Sequence, residues 1–154
     1  YFMTDGSVTT MLNGRDVSAD IRDERIGKSI GYFSDNRGVR DFVNNLLRIW
    51  AGESSIIMDG RDIGTVVFPD ATVKVYLDAS VDERTSRRVK EYRDQGKNVD
   101  ENSIRNQIIQ RDFNDKNRKY GALKKADDAV FIDTSLMNFD EVVDRLKAII
   151  INSK

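Results

Sequence analysis

Apolar and polar positions alternate near the start of the chain, where Val8, Thr10 and Leu12 share a period of two, as on a half-buried β-strand. Asn13-Gly14 offers a tight turn, and Val17 returns the strand. From Asp20 to Trp50 the period becomes helical, with a break around Asp35-Asn36. Ile26, Ile30 and Phe33 form one apolar stripe, and Phe42, Leu46, Ile49 and Trp50 form another. Gly52-Glu53-Ser54 interrupts this pattern. Ser55 to Met58 is then a short apolar run, read as a strand, that ends at Asp59-Gly60.

Thr72–Leu77 reads as a second strand. Ser80 with Glu83 makes a capping box for a helix that reaches Arg93 and ends at Gly96. Asp100 caps a longer helix toward Asn117, Ala129–Asp133 is a third strand, and Asn138 with Glu141 caps the last helix. Strands alternating with helices predict an α/β fold with a parallel sheet. Ligands of such sheets gather at the carboxyl ends of the strands.

Composition narrows the chemistry. The chain has no cysteine and no histidine, which excludes disulfides, thiol nucleophiles, Cys/His zinc sites and a Ser-His-Asp triad. Lys and Arg number 25 against 26 Asp and Glu, so no global attraction to nucleic acid or an anionic membrane is expected. No apolar run approaches the ~20 residues of a membrane span, and no signal-like segment opens the chain, so the expected compartment is the cytoplasm. The chain opens Tyr1-Phe2-Met3 with a strand-like segment almost at once. It is therefore expected to be a piece of a longer protein.

Two groups of residues suit binding chemistry. Asp59-Gly60-Arg61-Asp62-Ile63-Gly64 follows the apolar run directly. Its glycines let backbone turn and approach a ligand, and Arg61 can grip a phosphate through two parallel N–H bonds. Asp59 can hold a magnesium-bound water, and Asp62 can accept from an exocyclic amine, as carboxylates do from cytosine. The same residues also suit a polar turn with a structural Asp–Arg pair. Arg111, Asp115 and Arg118 fall within about 60° of arc on one helix face. Traced backward, that face meets Ile104 and Ile108, as on a helix leaving the core to overhang a cleft. A solvated helix end with exposed ion pairs fits the pattern equally well. Arg40 is a further candidate contact, or simply a surface arginine.

In order along the chain, these residues resemble the bacterial cytidylate kinase family of P-loop nucleoside monophosphate kinases. Asn13–Val17 with Ile21-Arg22 is similar to its nucleotide-binding subdomain. Met58–Ala71 (MDGRDIGTVVFPDA) is similar to its most distinctive signature, and Arg111–Arg118 (RDFNDKNR), Leu123 and Asp127–Ser135 (DDAVFIDTS) to its lid region and last core strand. The resemblance implies a nucleotide-binding subdomain over 1–53, a hairpin plus two helices. It also implies an α/β core over 54–154, with a short helical lid at 111–123. Arg40 and Asp62 would contact cytosine, Arg61 the CMP phosphate, and Asp115 and Arg118 the pentose. Arg111 would contact phosphate, and Lys116 would be a lid cation. Asp59, Arg111 and Lys116 are the implied catalytic groups, with no protein-bound metal. Where the family commonly has a serine and an arginine, this chain has Gly31 and Asn114, and Gly121-Ala122-Leu123 replaces Ala-Pro-Leu.

The family's first strand, P-loop and following helix find no match. Gly27-Lys28-Ser29 imitates the end of GxxxxGK[ST], but the leading glycine would fall at Arg22, and a helix precedes it. The resemblance implies ATP with Mg²⁺ as co-substrate and CMP or dCMP as acceptor, in a complete protein expected to be monomeric. The piece as given is expected to be inactive alone and to self-associate. Nucleic acid and membrane are not expected partners. The alternatives are a UMP or AMP kinase relative and a non-catalytic nucleotide-binding module.

Overall fold

A computed structural model describes residues 2–4, 7–52 and 55–153, in two compact units, Tyr1–Leu47 and Arg48–Lys154. The first unit opens with two antiparallel strand pairs. One joins β1 (Phe2–Thr4) to β2 (Ser7–Thr9), and the other joins β3 (Met11–Leu12) to β4 (Arg15–Asp16). Asn13 and Gly14 both take positive φ, 50° and 79°, as a two-residue primed turn requires. Val17 N–H then donates to the Thr10 carbonyl at 2.9 Å, extending the ladder. The first strand pair was not foreseen. Its only local signal is the Asp5-Gly6 dipeptide, which lies outside the described residues.

Helices α1 (Glu24–Ser34) and α2 (Arg37–Ala51) meet at the predicted break. Asp23 caps α1 by accepting from Arg25 N–H, and Asn36 caps α2 by accepting from Val39 N–H at 3.1 Å. Gly27-Lys28-Ser29 lies inside α1, far from the strand-to-helix turn a phosphate loop needs.

The second unit holds the parallel sheet. β5 (Val75–Asp78) pairs with β6 (Val130–Asp133) in register, Tyr76 beside Phe131 with their rings stacked at 6.2 Å. Between them in sequence come α3 (Val81–Asp94) and α4 (Glu101–Asn117), and α5 (Phe139–Asn152) follows β6. Val67, Val89, Ile104 and Ile132 are the buried apolar residues that tie these elements together.

Caps set the helix ends as their chemistry demands. Asp100 accepts from Ser103 N–H at 2.7 Å, and Asn138 and Glu141 complete a reciprocal box on α5. The box expected on α3 is only half made. Ser80 accepts from Glu83 N–H, but Glu83 turns to Arg87, and Ser80 N–H donates to the Ser135 hydroxyl.

Two expectations fail locally. Ser55–Met58 forms no strand among the described residues, because nothing there pairs with it, and Ile57 is 93% exposed. The strand expected from Thr72 starts at Val75. Between these segments Ile63–Val67 is one π-helical turn. The Asp62 carbonyl accepts from the N–H groups of Thr65, Val66 and Val67. Arg48, near the end of α2, donates to the carbonyls of Val67 and Val66 at 2.9 and 2.8 Å, satisfying acceptors the turn leaves open. The buried Lys74 ammonium donates to the Pro69 carbonyl and to Asp128, fastening the segment that follows.

Candidate active site

The second unit builds its charged cluster around one buried carboxylate. Asp115 projects from the last turn of α4 and is 5% exposed. Arg61 Nε donates to its Oδ2 at 2.7 Å, Arg118 Nη2 donates to Oδ1 at 2.9 Å, and Arg111 Nε lies 3.9 Å from Oδ2. A carboxylate so buried needs such partners, since stripping its water costs several kcal/mol (about 1–3 for even one unsatisfied hydrogen bond). Asp115 is therefore no part of a solvated helix end, although Arg111 on the same face is 71% exposed.

Local backbone explains how the three arginines converge. Arg111 and Asp115 are one helical turn apart, and Arg118 ends the helix as its C-terminal cap. Gly121, at φ 63°, then lets the chain fold back so that Leu123 N–H donates to the Asp115 carbonyl at 2.8 Å. Arg61 arrives from the other side, 54 residues earlier in the chain. Its loop needs glycine at 60, where a Cβ would stand 2.8 Å from Ile63 Cγ1.

A second pair flanks the cluster. Arg84 on α3 donates from both η nitrogens to the two oxygens of Asp112, at 2.8 and 2.6 Å. That fork holds the Asp112 carboxyl below the usual aspartate value; partial burial opposes it, and the charges of Lys116 and Arg61 add to it. Burial pushes the Tyr76 phenol up, and the charges acting on it belong to Asp78, Asp112, Arg84 and Arg61. Arg84 also donates from Nε to the carbonyl of Ala79 at 2.9 Å, directly after β5, so the Arg84–Asp112 pair lies beside the carboxyl end of that strand, where α/β sheets take their ligands.

The depressed Asp112 value has a stability consequence. The folded state favours the ionised form, so the pair stabilises above the unfolded aspartate value of about 3.9 and loses that contribution as pH falls through the lower folded value. Asp112→Asn is expected to lower Tm at pH 7, with the gap to wild type closing as pH drops below about 4. A gap that stays constant across the acid range would show that the carboxylate's charge contributes nothing.

Asp62 is buried at 7% exposure, and its carbonyl anchors the π-turn. Asp59 and Lys116 are exposed. Arg40 belongs to the first unit, where its Nη1 donates to the Ser34 carbonyl at 3.2 Å. Asn114 accepts from Gln110 at 3.0 Å. Sequence reasoning missed Arg84 and Asp112, and no local signal joins residues 28 apart.

Parallel strands joined through helices, with arginines gathered on one buried carboxylate of α4, define an α/β protein. Comparison with known proteins makes the assignment specific. The sequence profile described as cytidylate kinase matches residues 2–152. The chain is 43% identical over 146 residues to the cytidylate kinase of Lactobacillus johnsonii, covering 95% of this chain and 64% of that protein. It is 40% identical over 150 residues to cytidylate kinase 1 of Haemophilus influenzae, covering 97% and 65%. With the Geobacter sulfurreducens cytidylate kinase the figures are 39% over 150 residues, 97% and 64%. The chain belongs to the cytidylate kinase family. It spans a little under two thirds of the length of these relatives.

Proposed function

We propose that the complete protein transfers the γ-phosphoryl group of ATP to CMP or dCMP. The observation that carries this reading is the state of Arg61. Its Nε is committed to Asp115, while its η nitrogens make no hydrogen bond among the described residues and the side chain stays 41% exposed. An arginine oriented through one edge and open at the other is prepared for bidentate contact with a phosphate. In this reading Asp62 accepts from the cytosine amino group and Arg40 contacts the ring. Asp115, through its remaining lone pairs, and Arg118 hold the pentose.

The chemistry itself is displacement at phosphorus. An oxygen of the CMP phosphate attacks the γ-phosphorus, the bond to the β-phosphate oxygen breaks, and ADP leaves. Catalysis of this step is positioning and charge stabilisation. Arg111, 71% exposed, and the exposed Lys116 are the cations of this chain suited to the transferring group. Magnesium would arrive on ATP, with Asp59 suited to hold one of its waters.

The test is an ATP-dependent phosphorylation assay of the full-length gene product with CMP, dCMP, UMP and AMP. CMP and dCMP are expected to be used at least ~10-fold more efficiently than UMP or AMP. Equal use of all four would reject cytosine recognition, and binding without turnover would favour the non-catalytic module.

A further inference from the structure

Arg84 and Asp112 hold none of the roles described above, yet their geometry controls where the cluster stands. The Arg84 guanidinium spends every edge on structure. Its η nitrogens fork onto Asp112, and its Nε donates at 2.9 Å to the carbonyl of Ala79, the residue directly after β5. One side chain thus fastens the end of β5, α3 and α4 to each other.

Apolar packing does not do this for the charged half of α4. Ile104 is buried and Ile108 half-buried, but Ile109 and Phe113 are exposed. Asp112 and Asp115 lie about 60° apart around the helix, one bound to α3 and the other to Arg61. Beside the Leu123 N–H bond to the Asp115 carbonyl, rotation of this segment is held by contacts at Asp112 and Asp115, and of these the Arg84 fork is anchored at two points.

We infer that Arg84, acting through Asp112, is a positioning residue for the nucleotide phosphate: it fixes the rotation of α4, and so the place at which Asp115 holds Arg61. This rests on the function proposed above. A fork constrains both distance and angle, whereas lysine supplies only a point charge. Arg84→Lys should therefore keep the local charge and lose the alignment.

The experiment measures equilibrium binding of CMP and ATP to the full-length gene product and to its Arg84→Lys and Asp112→Asn variants, with Tm recorded for each. Both variants are expected to raise the Kd for CMP about 5- to 10-fold while leaving that for ATP within about 2-fold. Added to Arg61→Ala, Arg84→Lys should weaken CMP binding by clearly less than its effect on the wild type, because the two share the Arg61 contact. A lowered Tm with unchanged CMP affinity, or effects that add in full to those of Arg61→Ala, overturns the inference and leaves a purely structural pair. So does failure of both variants to fold. Wild-type protein that does not bind CMP overturns the proposed function, and the inference with it.

Discussion

Asp115→Ala is expected to lower kcat/KM for both CMP and dCMP by roughly 10- to 150-fold, the equivalent of about 1.5–3 kcal/mol for a lost charged hydrogen bond. The same change should cost about 3 kcal/mol of stability, the lower end for breaking a buried ion pair. The lower end applies because the abandoned arginines differ in their access to water. Arg111 and Arg61 are exposed enough to rehydrate, while Arg118 is more shielded, at 18%. Asp115→Asn keeps the volume and one acceptor, so it should fall between wild type and alanine in both measurements. Steady-state kinetics and thermal unfolding of the full-length gene product decide the matter. Wild-type kinetics in the alanine variant would mean that the cluster only holds the fold.

Asp62→Asn is expected to narrow the preference for CMP over UMP by at least ~10-fold, the equivalent of one base-edge contact at ~1–3 kcal/mol. An ionised carboxylate only accepts hydrogen bonds. It can pair with the 4-amino group of cytosine, but against the 4-oxo group of uracil it sets acceptor against acceptor in a buried place. Sites built around a required hydrogen bond reject such analogues strongly. Asparagine keeps the shape and adds a donor, so UMP should gain relative to CMP. Arg61→Ala is the control, since both substrates carry the same phosphate and should suffer alike. The ratio of the two kcat/KM values is what matters. If Asp62→Asn depresses both in equal proportion, another residue reads the base.

Elements whose signals are local were legible in the sequence. Asp100, Asn138 and the Asn13-Gly14 turn work through bonds to residues within three or four positions, so their chemistry is written next to the backbone it satisfies. Ser55–Met58 was misread because a strand is completed by its neighbour, which an apolar run cannot specify. The π-turn at Ile63–Val67 was hidden because Val66 and Val67 favour strands, while the bonds that shape the turn converge on a single carbonyl. The Arg111–Asp115–Arg118 face was visible as a spacing, but its burial was not. A 3.6-residue period gives direction around a helix and says nothing of what lies opposite, here Arg61.

The π-turn tolerates sequence change unevenly along its length. Its shape hangs on the carbonyl of residue 62, which takes three backbone N–H groups and the Thr65 hydroxyl, and a carbonyl is the same whichever side chain accompanies it. The glycine two positions earlier has no such freedom, because a methyl group there would collide with Ile63. Drift at position 60 therefore damages the scaffold, whereas the bonds at residue 62 are made to its backbone carbonyl and do not depend on which side chain stands there. The loop's backbone frame is thus less sensitive to sequence at 62 than at 60.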